Sequence, residues 1–453
     1  MTRKPFHPIQ VVDGALSPHF EAPAPVLAPT DLSVSLPKYL RESTLASLNL
    51  VPVVGGFLSY IGALFIPQPG KSPEQMWKGL VSALISESLF KTVQQDLVGL
   101  TNSAELYRNA VSSGDKEEIR ETSISVNVLF TGLLPRFQIH GEEVRLLPLF
   151  AIAATMHLSL LRDIAVKGRD IGLNDQSVAN YKQQLRNRID IYTQHADRYA
   201  AEAIQRAKTE NPSRSPTTRN QPLSAMLVAS AAYQISVLDL RDIWQAFDAH
   251  KNTGPVSVRL VREIYSPIVG WWGPPSSRAP DRIPDWKQPA SRLKTLHIWT
   301  RTQWRTTYVS GFAMTYAEVP GQSDYLRRLE AGKLQGQQHT LNLGDDYLSK
   351  LEGHTAATID RVSLLLGKSG RWHRYGPDRE NITQPLYTAA YEDHCLSSIR
   401  ATPVNTDGYS EGSPAGFIFG FHLIDQVPKP ISVKLREEIK PKIAPQLLNW
   451  MMS

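Results

Sequence analysis

Few residues of this 453-residue chain are spaced for covalent chemistry. Gly367-Lys368-Ser369-Gly370 matches the end of a phosphate-binding loop. The motif's first glycine, however, would fall at Val362, and no helical pattern follows. HExxH and CxxC are absent. His394 beside Cys395 is the only close His–Cys pair, and these two read as surface strand residues, because adjacency in sequence does not make a catalytic pair. No enzyme, metal site or cofactor is implied, and the chain reads as one that binds and rearranges. The side chains that demand an explanation lie in "LLPLFAIAATMHLSLLRDIAVKG", residues 146–168. Thr155, His157 and Ser159 there interrupt an otherwise apolar run, and Arg162 and Asp163 close it. Charges entering a packed bundle need partners. A buried, hydrogen-bonded histidine is more often a satisfied core residue than a switch, and it favours its neutral form.

These residues need a scaffold. Net charge +6 and a pI near 9.2 favour approach to anionic surfaces without choosing between membrane and nucleic acid, and no dense Lys/Arg block supports nucleic acid. One cysteine excludes a disulfide-stapled scaffold. The N-terminus is basic but lacks the apolar core of a secretory signal, so the product is expected in the cytoplasm or an inclusion deposit of its producer. Residues 1–37 read as a flexible leader and 38–254 as a helical bundle. Apolar residues step by three and four at Leu89, Val93, Leu97, Leu100, Ala104, Tyr107 and Val111. The same stepping marks 178–203 and 226–247, the latter as one long helix. A helix that is apolar all round must be wrapped by others, which makes 146–168 the hub. Residues 255–427 carry short alternating runs punctuated by Gly, Asn and Asp, the pattern of an antiparallel β domain. The tail, 428–453, has no assignment. The fold class is therefore multidomain α + β, a helical bundle with a central hydrophobic helix followed by an all-β domain.

The stretch 132–173, with Leu134-Pro135-Arg136-Phe137, "LLPLF" and "HLSLLRD", resembles the fourth and fifth bundle helices of the insecticidal crystal toxins, the Cry-like δ-endotoxins. "PEQMWKGLVSALISESLFKTVQQDLVGLTNSAELY" (73–107) is similar to that family's second and third helices. "VLDLRDIWQAFD" with "LVREIYSPIVG" resembles its last bundle helix and the entry to its second domain. Residues 291–424 look like a β-prism, the fold shared with jacalin-type lectins, and the family's third domain is expected to be absent. The lectins' glycine–aspartate sugar motif is not matched, since Ile424 stands four residues after Gly420.

The resemblance implies a pore-forming toxin that acts outside its producer at a target-cell membrane. The prism would bind a cell-surface protein or glycan receptor, and the hairpin of 115–134 and 146–168 would insert. The protein would be a monomer in solution and a homo-oligomer in the pore, with no nucleic-acid partner. Inserting residues would be Val126, Phe130, Leu133, Leu147, Phe150, Ala154, Leu158 and Leu161. Arg120, Asn127 and Thr131, together with Ser123, are expected on a polar side of the first helix, and His157, Arg162 and Asp163 on the second. Receptor contacts are expected at Tyr325, Arg327, Arg371, Trp372 and Tyr409, all in hairpin loops, and proteolytic activation at Arg214 or Arg219. The alternative reading is a non-lytic, lectin-like binding protein whose bundle serves as a stalk or oligomerisation domain.

Overall fold

The computed structural model describes residues 11–12, 32–49, 52, 54–67, 70, 72–81, 84–214, 220–270, 282–303, 306–318, 325–355, 359–377, 386–401 and 416–424. The bundle runs α1 (Leu32–Asn49), α2 (Gly56–Gly62), α3 (Pro73–Val81), α4 (Glu87–Ser113), α5 (Lys116–Leu133), α6 (Glu143–Lys167), α7 (Asp175–Glu210), α8 (Gln221–Tyr233) and α9 (Asp239–Trp244). Local chemistry sets the boundaries. Ser72 and Gln75 exchange side-chain and backbone hydrogen bonds in a capping box before α3. Asp115 caps α5 by accepting from the amides of Glu117 and Glu118, and Asn174 caps α7 by accepting from Ser177. Gly114 ends α4 at φ 72°, a left-handed conformation that costs glycine nothing.

The stripe Leu89 to Val111 is buried along α4, as its spacing requires. The run 226–247 is not one regular helix. It is α8 and α9 joined by a π-helical turn, Gln234–Leu238. That extra residue per turn lets both halves bury apolar side chains against different neighbours. Leu223, Met226 and Leu227 of α8 pack on Tyr265, Ile268 and Ile418 of the β domain, while Leu240, Ile243 and Trp244 enter the bundle core. The span read as leader contains the start of α1 and a short strand, β1 (Val11–Val12), which pairs with Ala389 and Thr388.

After β2 (Ile264–Tyr265) and β3 (Val269–Gly270) come β4 (Leu293–Gln303), β5 (Thr306–Tyr316), β6 (Arg328–Gly332) and β7 (Gln337–Asn342). The order β7-β4-β5-β6 is a Greek key. The next four strands, β8 (Leu348–Thr355), β9 (Ile359–Leu366), β10 (Trp372–Tyr375) and β11 (Leu386–Ala390), repeat it as β11-β8-β9-β10. Among the described residues a single pair, Val309 with Ile359, bridges the two sheets. A third sheet joins β12 (His394–Ala401) to β13 (Gly416–Leu423), which also pairs with β2 and β3. The three sheets enclose one core, with Ile298, Phe312, Leu351, Val362, Phe419 and Phe421 pointing inward. The α + β class and the prism read from the sequence are what the chain forms.

Candidate functional site

Helix α6 is buried on every side from Leu146 to Ala165. Its 25 residues make it about 37 Å long, enough to cross a hydrocarbon core of about 30 Å. Each polar side chain within its apolar run has a partner. Thr155 Oγ1 accepts from the Trp244 indole N–H at 2.9 Å and donates to Ala151 O at 2.7 Å. Ser159 donates to Thr155 O. His157 Nε2 donates to Asn127 Oδ1 at 2.8 Å, while its Nδ1 accepts from the Tyr192 hydroxyl at 2.8 Å. Burial, then the Arg188 charge, push the imidazole down to about 3, which leaves it neutral with its one proton on Nε2, as expected of a satisfied core histidine.

Arg162 and Asp163 do tie α6 to its surroundings, but to opposite neighbours. The Asp163 carboxylate accepts from the Phe57 and Leu58 amides at 3.0 and 2.9 Å, and the Tyr107 hydroxyl approaches at 3.5 Å. It therefore supplies acceptors to the amides at the start of α2, where the preceding residue, Gly55, has no capping side chain, although burial outweighs those amides and pushes its carboxyl up to about 7. The Arg162 guanidinium donates to the carbonyls of Ala246, Phe247, Asn252 and Gly254 at 2.9–3.4 Å, and it lies over the Phe57 ring at 5.0 Å. It thus closes the carbonyl end of the last bundle helix. Pro148 lies inside α6 and has no N–H for the Val144 carbonyl one turn back. The Tyr233 hydroxyl donates there instead, at 2.9 Å. The missing donor follows from the sequence; the identity of its replacement does not.

The placement of the expected inserting residues is uniform. Val126, Phe130, Leu147, Phe150, Ala154, Leu158 and Leu161 are fully buried, and Leu133 is half-buried against Gly99 of α4. The polar side expected of α5 does not form one face. Ser123 is buried and Asn127 turns inward to His157, whereas Arg120 is half-exposed beside Glu117 and Thr131 is exposed. The solvent side of α5 instead carries Ile124, Val128 and Leu129, with Val128 66% exposed. Asn127 satisfies His157 of α6, while Ser123 donates to Ile119 O of its own helix and meets Tyr107 of α4, so helical spacing alone put these two on the solvent side. By length and composition both 143–171 and 221–247 would cross a membrane, the second being unforeseen.

A second cluster holds the bundle to the β domain. Asp239, fully buried, accepts from Arg262 Nε and Nη2 at 2.8 and 2.6 Å, and Arg41 Nη1 reaches it at 3.4 Å. Burial would raise the Asp239 carboxyl, but the Arg262 and Arg41 charges outweigh it and hold it below the ordinary value. Arg262 Nη1 donates to His394 Nε2 at 2.6 Å. His394 and Cys395 are buried strand residues, 1% and 5% exposed, not surface ones. The two arginines on one side and the Phe421 core on the other cover the start of β12. Burial, then Arg262 and Arg41, push the His394 imidazole well below its ordinary value.

Of the expected receptor residues, Arg327 and Tyr325 stack at 5.3 Å just before β6, and Arg371 is exposed just before β10. These lead into equivalent strands of the two Greek keys. Trp372 is not a loop residue; it is the first residue of β10 and lies on the sheet. Arg214 is exposed after α7. Arg219, Tyr409 and the tail 428–453 lie outside the described residues.

The fold defines the class: a helical bundle with an apolar hub, joined through its last helix to a three-sheeted β-prism. Residues 43–248 match the family described as delta endotoxin, N-terminal domain. Residues 43–248, the helical part, thus belong to the delta-endotoxin N-terminal domain family, and the chain resembles the Cry-like toxins. The pesticidal crystal protein Cry1Id of Bacillus thuringiensis is 26% identical over 222 residues, covering 46% of this chain and 30% of that protein. Cry1Be of the same species is 23% identical over 344 residues, covering 69% of this chain and 25% of that protein. The chain thus spans less than a third of the length of these relatives. Among solved structures, PirB is similar with a TM-score of 0.66 and 18% identity, over 86% of this chain and 94% of that one. Bacillus thuringiensis Cry7Ca1 is similar with a TM-score of 0.67 and 18% identity, over 86% and 75%.

Proposed function

We propose that this chain is a pore-forming, insecticidal toxin of the Cry-like type. In this reading residues 255–427 bind a cell-surface receptor, and α5 and α6 enter the target membrane as a hairpin. The observation that carries it is α6: apolar all round, long enough to cross a bilayer, and stored inside a bundle whose other helices satisfy its few polar atoms. Arg162 and Asp163 weigh against insertion of a lone helix, since a charge at mid-bilayer costs at least about 2.5–3.5 kcal/mol. A hairpin in an oligomer lets them reach the interface or a wet lumen. The Asn127–His157 bond lies between the two helices and would travel with them.

Dye release from liposomes, before and after mild proteolysis, tests the proposal; cleavage at Arg214 separates α7 from α8. The double variant Gly99→Cys/Leu133→Cys adds a lock, because a Cβ on Gly99 would sit 3.9 Å from Leu133 Cγ and the only native cysteine is buried. Oxidised, it should release no dye; reduced, it should recover. Equal release in both states would refute hairpin insertion.

A further inference from the structure

The outer face of the second Greek key holds a cleft of about 260 Å³. Register explains its composition. Trp372 faces Leu365 and then Lys350 across the sheet, Arg374 faces Ser363 and then Glu352, and Arg361 faces His354. Because alternate residues share a side, these polar and aromatic groups converge on the face opposite the core residues Leu351, Val362 and Leu364. Lys350 pairs with Glu352 at 2.6 Å and lies 5.9 Å from the Trp372 ring centre. That pairing neutralises the one carboxylate of the cleft. Arg361 and Arg374 have no carboxylate partner among the described residues, and Arg361 Nε is buried without any hydrogen-bond partner. Trp372 is 39% exposed, a large aromatic surface left open on a sheet.

The face is built rigid. The Asp346 carboxylate accepts from the Tyr347, Lys368 and Ser369 amides at 2.8–3.1 Å and so pins the turn that precedes β10. Gly370 N and Leu366 N close the same turn on Leu366 O and Arg371 O. A Cβ on Gly367 would strike the Tyr347 ring at 2.0 Å, so this close seat is open only to glycine. An exposed indole therefore stands at a fixed height beside two unneutralised guanidinium groups.

We propose that this cleft binds an anionic saccharide, a glycan bearing a carboxylate or sulfate group. The indole face would cover the C–H face of a pyranose ring, Arg361 and Arg374 would fork onto the anionic group, and Glu352 and Ser363 would take ring hydroxyls. The site differs from the glycine–aspartate loop of the lectins, which this chain does not match. It deepens the reading of the β domain as the receptor-binding part and rests on it for its biological role.

Titration calorimetry on the full chain is the test, with sulfated chondroitin oligosaccharide, sialyllactose and neutral lactose as ligands and phosphatidylserine vesicles as a further arm. At least one anionic sugar should bind while lactose does not. Trp372→Ala and Arg374→Ala should each weaken that binding about tenfold or more, with Arg374→Lys intermediate, since a lysine cannot fork. Arg186→Ala on α7 serves as the distant control. Three results would overturn the inference: no anionic sugar binds, the cleft variants bind as tightly as the parent, or the vesicles bind and neither sugar competes. Dye release from receptor-free vesicles is read on the same preparations. Glycan binding lost with release intact condemns the cleft alone, and release absent with glycan binding intact condemns the pore reading alone.

Discussion

The contact between Tyr233 and Val144 makes a prediction that packing alone does not. Pro148 leaves the Val144 carbonyl without its helical donor, and the Tyr233 hydroxyl fills the gap at 2.9 Å. Tyr233→Phe removes that donor and strands a carbonyl with no other donor in the helix. The expected cost is about 1–2 kcal/mol, the range for a lost hydrogen bond plus part of a desolvation penalty. Pro148→Ala restores an N–H pointing at the same carbonyl, so in that background Tyr233→Phe should cost no more than about 0.5 kcal/mol. The coupling between the two changes is then about 1 kcal/mol, outside the scatter of about 0.3–0.5 kcal/mol for independent sites. Native-state hydrogen exchange of the α6 amides reads all four corners of the cycle without assuming that both domains unfold together. Equal cost of Tyr233→Phe in the two backgrounds would refute the assignment of that hydroxyl to the proline gap. If the pore reading holds, Tyr233→Phe should also hasten dye release, since it loosens α6 from the last helix.

Other consequences are simpler to state. Asp239→Asn leaves Arg262 and Arg41 facing each other around a neutral amide, and a thermal melt should register a loss of about 3–5 kcal/mol; a change within error would mean that the cluster contributes nothing to domain docking. Burial alone would raise the Asp346 carboxyl, but the Lys368, Ser369 and Tyr347 amides outweigh it and hold it down at about 2. A depressed carboxyl stabilises above its unfolded value of about 4 and loses that contribution as pH falls towards 2. The Lys368 and Ser369 amides should therefore lose exchange protection on acidification across that window, and in Asp346→Asn at neutral pH. Val128→Lys, on the exposed side of α5, should leave the soluble fold within about 0.5 kcal/mol yet depress dye release; release at the parental rate would keep that face out of the membrane.

How much of this the sequence disclosed depends on the range of the interaction. The stripe on α4, the apolar hub and the alternating strands are local periodicities, and each formed where its spacing placed it. The polar face of α5 is different. Ser123 and Asn127 are polar, but the buried Tyr107 and His157 draw them inward, and Ile124, Val128 and Leu129 take the water. No single-helix pattern contains that information. The π turn in 234–238 is equally silent, because it answers to a bundle on one side and a prism on the other. Trp372 could be singled out as an aromatic candidate, but its place on a sheet face is set by its pairing with Leu365 and, beyond that, Lys350.

The partners of α6 also divide by what would move with it. Asn127 belongs to α5 and stays with a departing hairpin. Those left behind on the last bundle helix follow a register: Tyr233 to Val144, Trp244 to Thr155, and Ala246 and Phe247 to Arg162. The last bundle helix therefore runs parallel to α6 and grips it near its start, middle and end. That same helix carries Leu223, Met226 and Leu227 into the β domain, and Asp239 into the Arg262 cluster. A ligand on the prism can favour release only if it binds better when this helix has shifted. It then acts on all three grips at once, whereas Asp163 on α2 remains a separate restraint. Our hypothesis is that the prism reaches the hub through the last helix and not through α2. Asp239→Asn should then speed amide exchange along α6 while leaving the Phe57 and Leu58 amides protected by Asp163; early loss of protection at those two amides would sink it.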